Sequence, residues 1–233
     1  MSYCVVIPAA GSGSRMGAAL PKVLLKLTEY SQNHPRSILQ ETVHTFAADA
    51  ACRSIVVCAP AQWRTSFIEQ LSDYNQVVVT AGGATRQESV LLGVEAFNKQ
   101  GIVLGDTVVL VHDAARCCLT QELIKRVVEG VRQHGAVTAA VPVVDSLCRV
   151  QDGILEEYVD RKNAWAIQTP QGFLLQDLLH AHKTAQLEQL EALDDAELVA
   201  RIRPVHIIQG DRFNIKVTQP HDLEVADRII SSR

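Results

Sequence analysis

Long apolar runs, an excess of positive charge and paired cysteines are all missing from this sequence, and each absence removes a class of protein. No uninterrupted apolar stretch approaches the roughly 20 residues that a membrane-crossing helix needs. No charged segment followed by an apolar one opens the chain. A soluble, cytoplasmic protein with no membrane partner is therefore expected. With 22 Lys and Arg against 26 Asp and Glu the net charge is -4. That balance gives no basic field for holding a nucleic-acid backbone, so any positive charge that matters must be local. The six cysteines, Cys4, Cys52, Cys58, Cys117, Cys118 and Cys148, form no C-x-x-C pair and lie at no zinc-ligand spacing from histidines. They read as reduced thiols, mostly buried. Of the eight histidines only His180 and His182 are close, and on a helix those two face different sides. Internal repeats and low-complexity tracts are absent as well.

What is present is a regular alternation. Short β-branched runs, "YCVVI", "SIVVC", "QVVVT", "TVVLV" and "GAVTAAVPV", are separated by amphipathic stretches. This order predicts right-handed βαβ units and an α/β fold with a mostly parallel, Rossmann-like sheet covered by helices on both faces. At 233 residues the chain reads as one domain, 1–233. Ser37 with Gln40 and Thr85 with Glu88 fit the capping box, in which two side chains satisfy exposed N–H groups reciprocally. Helices over Ile38 to Ala47 and Arg86 to Lys99 are expected to follow. Others are expected near Ala61 to Ser72, Thr120 to Gln133, Leu174 to Gln189, Asp194 to Arg201 and Gln219 to Ile230. One segment breaks the rhythm: in "LCRVQDGILEEYVD", 147–160, an Asp-Gly turn lies between short alternating runs, the mark of a β-hairpin arm.

The candidate chemistry lies where strands end. "PAAGSGSRMGAALPK" follows the first strand and places Gly11, Gly13 and Gly17 at G-x-G-x-x-x-G spacing. That is neither the dinucleotide fingerprint nor a Walker A loop, since Lys22 follows a proline and no Ser or Thr comes next. What remains is a loop with backbone donors plus Arg15 and Lys22, which together can wrap a triphosphate, the arginine as a planar fork and the lysine as a point charge. "TAGGATRQESV" repeats the logic with Gly82, Gly83 and Ser89. "LVHDAARCC" ends the fourth strand with His112, Asp113 and Arg116. A carboxylate there can take Mg²⁺ or a substrate hydroxyl, an arginine can take a phosphate, and a functionless Asp113 to Arg116 pair is the competing reading. Arg161, Lys162 and Thr169 stand in "VDRKNAWAIQTPQGF". Lys216 falls inside a strand expected in "GDRFNIKVTQP", where it points away from Ile215 and Val217: it is solvated, the commoner case, if those two face the core, and a phosphate ligand if it faces the cleft.

Taken together, "PAAGSGSRMGAALPK", "GGATRQESV", "VHDAAR", "VDRKNAW", "QTPQGF", "DDA" and "NIKVT" occur in the order expected of 2-C-methyl-D-erythritol 4-phosphate cytidylyltransferases, and the resemblance runs over nearly the whole chain. It implies transfer of a cytidylyl group from CTP to methylerythritol phosphate, with Mg²⁺ and release of pyrophosphate. By matching positions it implies Arg15, Lys22 and Lys216 as catalytic cations. Ala9, Ala10, Gly11, Gly82, Gly83, Ser89 and Ala114 would surround the nucleotide, with Gly82, Gly83 and Ser89 reading cytosine. Asp113, Arg116, Ser146, Arg161 and Thr169 would line the acceptor side, Asp113 being also a possible metal ligand. It further implies a homodimer in which the 147–160 arm brings Ser146 and Arg161 to the neighbour's site. Three positions depart from the pattern: Ser146 stands for threonine, Cys117 for the proline after "HDAAR", and Val23 for glutamine. None removes a charge that the chemistry needs. A phosphate monoester has a second pKa of about 6 and is already largely ionised at neutral pH, so cations without a general base are the expected design. The competing readings are a ribitol 5-phosphate cytidylyltransferase, a nucleotide-binding regulatory protein and a dinucleotide-dependent oxidoreductase.

Overall fold

The computed structural model describes residues 2–11, 20–27, 36–102 and 105–233. Arg15, Gly13 and Gly17 lie outside the described residues. Seven strands form one sheet: β1 (Tyr3–Pro8), β2 (Cys52–Ala59), β3 (Val77–Ala81), β4 (Val108–Val111), β5 (Ala136–Pro142), β8 (Trp165–Leu174) and β9 (His206–Gln209). Their order is β3-β2-β1-β4-β8-β5-β9. Four of the pairings are parallel. Only β8 runs against its neighbours β4 and β5.

The valine and isoleucine runs of β1, β2 and β4 are buried on both faces because helices cover both, whereas β3 at the sheet edge is only partly buried. On β1 the period of two is explicit. Tyr3, Val5 and Ile7 face one core with residues of α1 (Ile38–Ala47), α2 (Arg64–Gln70) and α4 (Gln121–His134). Cys4 and Val6 face the other with α3 (Arg86–Lys99), α5 (Leu175–Glu188) and α6 (Asp195–Ala200). A third cluster under α7 (Pro220–Ser231) includes Leu27, Cys117, Cys118 and Val217.

Local chemistry sets the helix ends. The Ser37–Gln40 box is complete: Gln40 N–H donates to Ser37 Oγ at 3.2 Å and Ser37 N–H to Gln40 Oε1 at 2.9 Å. The Thr85–Glu88 box forms only half. Glu88 N–H donates to Thr85 Oγ1 at 3.0 Å, but Glu88 Oε2 takes the N–H of Ala84, at 2.7 Å, instead of that of Thr85. The stretch expected as a single helix after Pro60 splits into a 3-10 turn, Ala61–Trp63, and α2.

The hairpin is present as β6 (Leu147–Gln151) and β7 (Ile154–Val159), a separate two-stranded sheet. Asp152 and Gly153 both take positive φ, 51° and 80°, as the tight turn between right-twisted strands requires. Two features differ from expectation. "QTPQGF" belongs to β8, a strand disguised by its glutamines, proline and glycine. The segment around Lys216 is extended but joins no strand ladder; it is held by Val217 N–H donating to Ala115 O at 2.8 Å.

All six cysteines are free thiols, and only Cys148, on the hairpin, is exposed. No helix among the described residues is long and apolar enough to cross a membrane.

Phe97, on α3, is fully buried in the second core. Phe97→Ala should lower stability by about 3–5 kcal/mol, read as a shift in the urea midpoint without a change in slope.

Candidate active site

β1 has β2 and β3 on one side and β4 on the other, so the chain reverses direction of winding between β1 and β4. Crevices at such switch points, outside the carboxyl ends of strands, are where open α/β sheets bind ligands. A cavity of about 390 Å³ opens there, reached by Ala9 and Gly11 after β1, Gly83 and Arg86 after β3, and Asp113 and Ala114 after β4. A second cavity of about 420 Å³ shares Ala10, Gly11, Gly83 and Ala84 with it and extends past Gly82 to Pro60 and Trp63.

The glycines permit close approach. A Cβ on Gly82 would lie 2.5 Å from Ala10 Cβ, so two loops meet there with no room for a side chain. Ser89, 1% exposed, stitches the same loop to α3: it accepts from Gly83 N–H at 3.0 Å and donates its hydrogen to Thr85 O at 2.8 Å. Its one remaining lone pair can only accept.

Asp113 is the centre of charge. Its Oδ1 accepts from Arg86 Nε at 3.2 Å, its Oδ2 from Lys216 Nζ at 2.7 Å, and Arg116 Nε stands 3.9 Å from Oδ2. Burial alone would raise the pKa of this carboxyl. The guanidinium of Arg86, the ammonium of Lys216 and then Arg116 overcome burial and hold it well below the usual carboxylate range. Lys216 therefore turns toward the cleft, with Val217 buried on the opposite side of the chain. Lys22 also lines the cavity, and its Nζ donates to Val217 O at 2.7 Å, tying the two lysine-bearing segments together.

Behind Asp113 lies a buried hydrogen-bonded chain. Asp113 N–H donates to Thr169 Oγ1 at 3.0 Å, the Thr169 hydroxyl meets His112 Nδ1 at 3.1 Å, and His112 Nε2 meets Arg116 O at 3.1 Å. A carbonyl only accepts, so Nε2 carries the proton and Nδ1 accepts from Thr169. Burial pushes the His112 imidazole down to about 4, so it is neutral and fully engaged. It is a structural residue, not a base.

The expected residues thus divide. Ala9, Ala10, Gly11, Lys22, Gly83, Ser89, Asp113, Ala114 and Lys216 line the first cavity, and Gly82 lines the second. Thr169 and Arg116 stand behind Asp113. Arg116 Nη1 donates to Asn214 O at 2.8 Å, and Asn214 Nδ2 donates to Thr169 O at 2.8 Å, a strut that positions the loop carrying Lys216. Ser146 and Arg161 are exposed at the base of the hairpin. Arg86 lines the cavity and was not anticipated. The signal for it was slight: a cation directly after the capping Thr85, at the one helix start that follows a glycine pair.

Among the described lining residues, Lys22, Arg86 and Lys216 face a single carboxylate, Asp113. A glycine-walled, electropositive crevice at this switch point, with His112 and Asp113 both fully engaged, suits the binding of a nucleotide's phosphates, and the class it belongs to is the nucleotidyltransferases. The chain belongs to the 2-C-methyl-D-erythritol 4-phosphate cytidylyltransferase family, whose model matches residues 3–232. It is 38% identical over 232 residues to the Bacillus cereus enzyme of that name, covering 98% of this chain and 97% of the relative. It is also 38% identical to the Bacillus licheniformis enzyme, over 100% of this chain and 97% of the relative. The solved structure of the Francisella tularensis enzyme superposes with a TM-score of 0.83 at 28% identity, over 98% of this chain and 100% of that one. That of the Thermus thermophilus enzyme gives 0.77 at 30%, over 100% of both.

The neutral His112 ties stability to pH. Its folded pKa of about 4 lies below the ordinary 6.5, so the unfolded chain takes up a proton that the folded chain refuses. Its contribution is complete above about 6.5 and is lost as pH falls toward 4. The urea midpoint should fall between pH 7 and 5, and fall less steeply in His112→Gln. Parallel pH profiles for the two proteins would contradict this.

Proposed function

We propose that this cleft transfers a cytidylyl group from CTP to the phosphate of 2-C-methyl-D-erythritol 4-phosphate, releasing pyrophosphate. The observation that carries the reading is the company of cations without a base. His112 is neutral and tied at both nitrogens. Asp113 is ionised and committed to three cations. A nucleophile needing deprotonation would find no acceptor for its proton here, whereas a phosphate monoester arrives largely ionised. What such a reaction needs is relief of repulsion between a dianion and a triphosphate, and stabilisation of charge on the α-phosphoryl oxygens during in-line displacement.

The roles are assigned from the lining of the cavity, and that of Arg15 from its place in the sequence motif alone. Backbone at Ala9, Ala10 and Gly11, with Ala114, cradles the nucleotide. Arg15 and Lys22 hold its phosphates, and Lys22 faces the transferring group. Gly82 and Gly83 admit the base, and the acceptor-only lone pair of Ser89 suits the amino group of cytosine better than the carbonyl of uracil. Lys216, Asp113, Arg116 and Thr169 form and support the acceptor side.

Among the described residues no group of three or more His, Cys, Asp or Glu is placed to hold a metal ion. Asp113 alone among the lining carboxylates is in reach, and it is already paired. The donor set fits only an Mg²⁺ carried in on the triphosphate, the usual habit of that ion; when bound, it screens the triphosphate charge.

The arm presents Val150, Ile154 and Tyr158, 59%, 70% and 72% exposed. Apolar side chains on an isolated hairpin fit a homodimer in which the arm lies on a second copy of this chain and brings Ser146 and Arg161 toward its site. The enzyme would work in the cytoplasm as a single domain with this arm inserted.

Pyrophosphate release assayed with methylerythritol phosphate and ribitol 5-phosphate, each with CTP and UTP, tests the reading. Turnover is expected with the first acceptor and CTP; turnover with ribitol 5-phosphate alone would overturn it. Lys22→Ala and Lys216→Ala should each lower kcat by on the order of 10²–10³ with the circular dichroism unchanged. Deleting 147–160 should leave a monomer with little activity, measured by light scattering and the same assay; an active monomer would refute the shared site.

A further inference from the structure

The "DDA" motif and the buried His182 take no part in the mechanism above, yet they end on it. Asp195, the first residue of α6, is 1% exposed, as is His182 of α5. His182 Nε2 donates to Asp195 Oδ1 at 2.9 Å, and Arg86 Nη1 donates to Asp195 Oδ2 at 2.7 Å. The same guanidinium reaches Asp113 through Nε. Two carboxylates that share no backbone contact are thus bridged by one planar fork, which a lysine could not span. Burial disfavours ionisation of Asp195, but Arg86 and His182 outweigh it and hold the carboxyl below its usual range. Arg86 is in turn driven firmly to its charged form by Asp195 and Asp113 against the cost of burial.

The far end of this chain is fixed to the sheet. Gln171 of β8 accepts from Ala196 N–H at 3.0 Å and donates to Asp194 Oδ2 at 2.9 Å, while Asp194 Oδ1 caps α6 through Glu197 N–H at 2.9 Å. Gln87, next to Arg86, clasps the loop between α5 and α6, donating to Leu190 O at 2.9 Å and accepting from Ala192 N–H at 3.1 Å. Among the described residues Arg86 Nη2 is buried without a hydrogen-bond partner, so the two carboxylates supply the polar contacts that orient the guanidinium. By fixing Oδ1 of Asp113, it fixes the direction of Oδ2, which holds Lys216.

We propose that Arg86, Asp195 and His182 form a brace that positions Asp113 and, through it, the Lys216 ammonium for the acceptor phosphate. They are positioning residues, and the inference rests on the reading of the cleft given above. The brace meets Asp113 and, through it, Lys216, whereas Lys22 is held by Val217 O, so loss of the brace should weigh on the acceptor more than on CTP. In Asp195→Asn the KM for methylerythritol phosphate should rise, or kcat fall, by on the order of 10²-fold, while the KM for CTP changes by less than about threefold. Arg86→Lys should behave like Asp195→Asn, and added guanidinium ion should restore activity to Arg86→Ala but not to Lys216→Ala. Without substrates, the Arg86 Nε–H should exchange slowly in the wild type by ¹⁵N NMR and much faster in Asp195→Asn.

If Asp195→Asn fails to fold, Arg86→Lys carries the test, because its side chain is 30% exposed on the cavity wall. Equal losses for both substrates, no rescue of Arg86→Ala by guanidinium, or unchanged Arg86 exchange would overturn the brace. Absence of turnover in the wild type would instead sink the functional reading, leaving the exchange measurement to judge the brace.

Discussion

The carboxylate of Asp113 is the point on which the site depends. Three cations from three separate parts of the chain, Arg86 after β3, Arg116 after β4 and Lys216 near the C-terminus, converge on its two oxygens. Without that charge they would repel one another across a cavity of about 390 Å³. With it they stand close together and still leave the crevice net positive, since Lys22, Arg86 and Lys216 line it against Asp113 alone. The carboxylate, paired with three cations and held ionised by them, is a poor proton acceptor. It makes a dense cluster of positive charge possible in a partly buried place, where electrostatic stabilisation of a phosphoryl group is strongest.

The sheet explains why such a cluster forms here. Winding in opposite directions from β1 leaves the ends of β1, β3 and β4 facing a common crevice, and each strand end supplies a loop. The antiparallel β8 adds Thr169 beside Asp113 N–H and Gln171 beside α6. Pairing offsets the cost of burying polar groups of this kind, and each pairing in turn fixes a loop. His112 is the plainest case: neutral, engaged at both nitrogens, and valuable because it cannot titrate near neutral pH.

Much of this was legible in the sequence, and the misses have physical causes. Helix starts were readable because capping is local: Ser37 and Thr85 act within three residues. The central strands β1, β2 and β4 are legible because burial on both faces demands unbroken β-branched runs, whereas the short, exposed β9 gives no such run and was not expected. β8 was hidden because Gln168 and Gln171 look like loop residues until their partners, Asp211 O and Asp194, are known. The alternation of side chains around Lys216 resembles a strand, but the neighbouring Val217 N–H bonds to Ala115 O in the loop after β4. Arg86 and Asp195 read as ordinary helix-start residues, since nothing local shows that two helix N-termini separated by 109 positions meet at 2.7 Å. Family resemblance supplied the identity of nucleotide and acceptor, which spacing and charge left open.

The charge of Asp113 is tested most directly by the kcat/KM of Asp113→Asn with CTP and methylerythritol phosphate. Asparagine keeps the size and one acceptor oxygen but removes the negative charge. A loss of on the order of 10²-fold or more, with the fold retained by circular dichroism, is predicted. A variant within about threefold of the wild type would show that the cations hold their places without it.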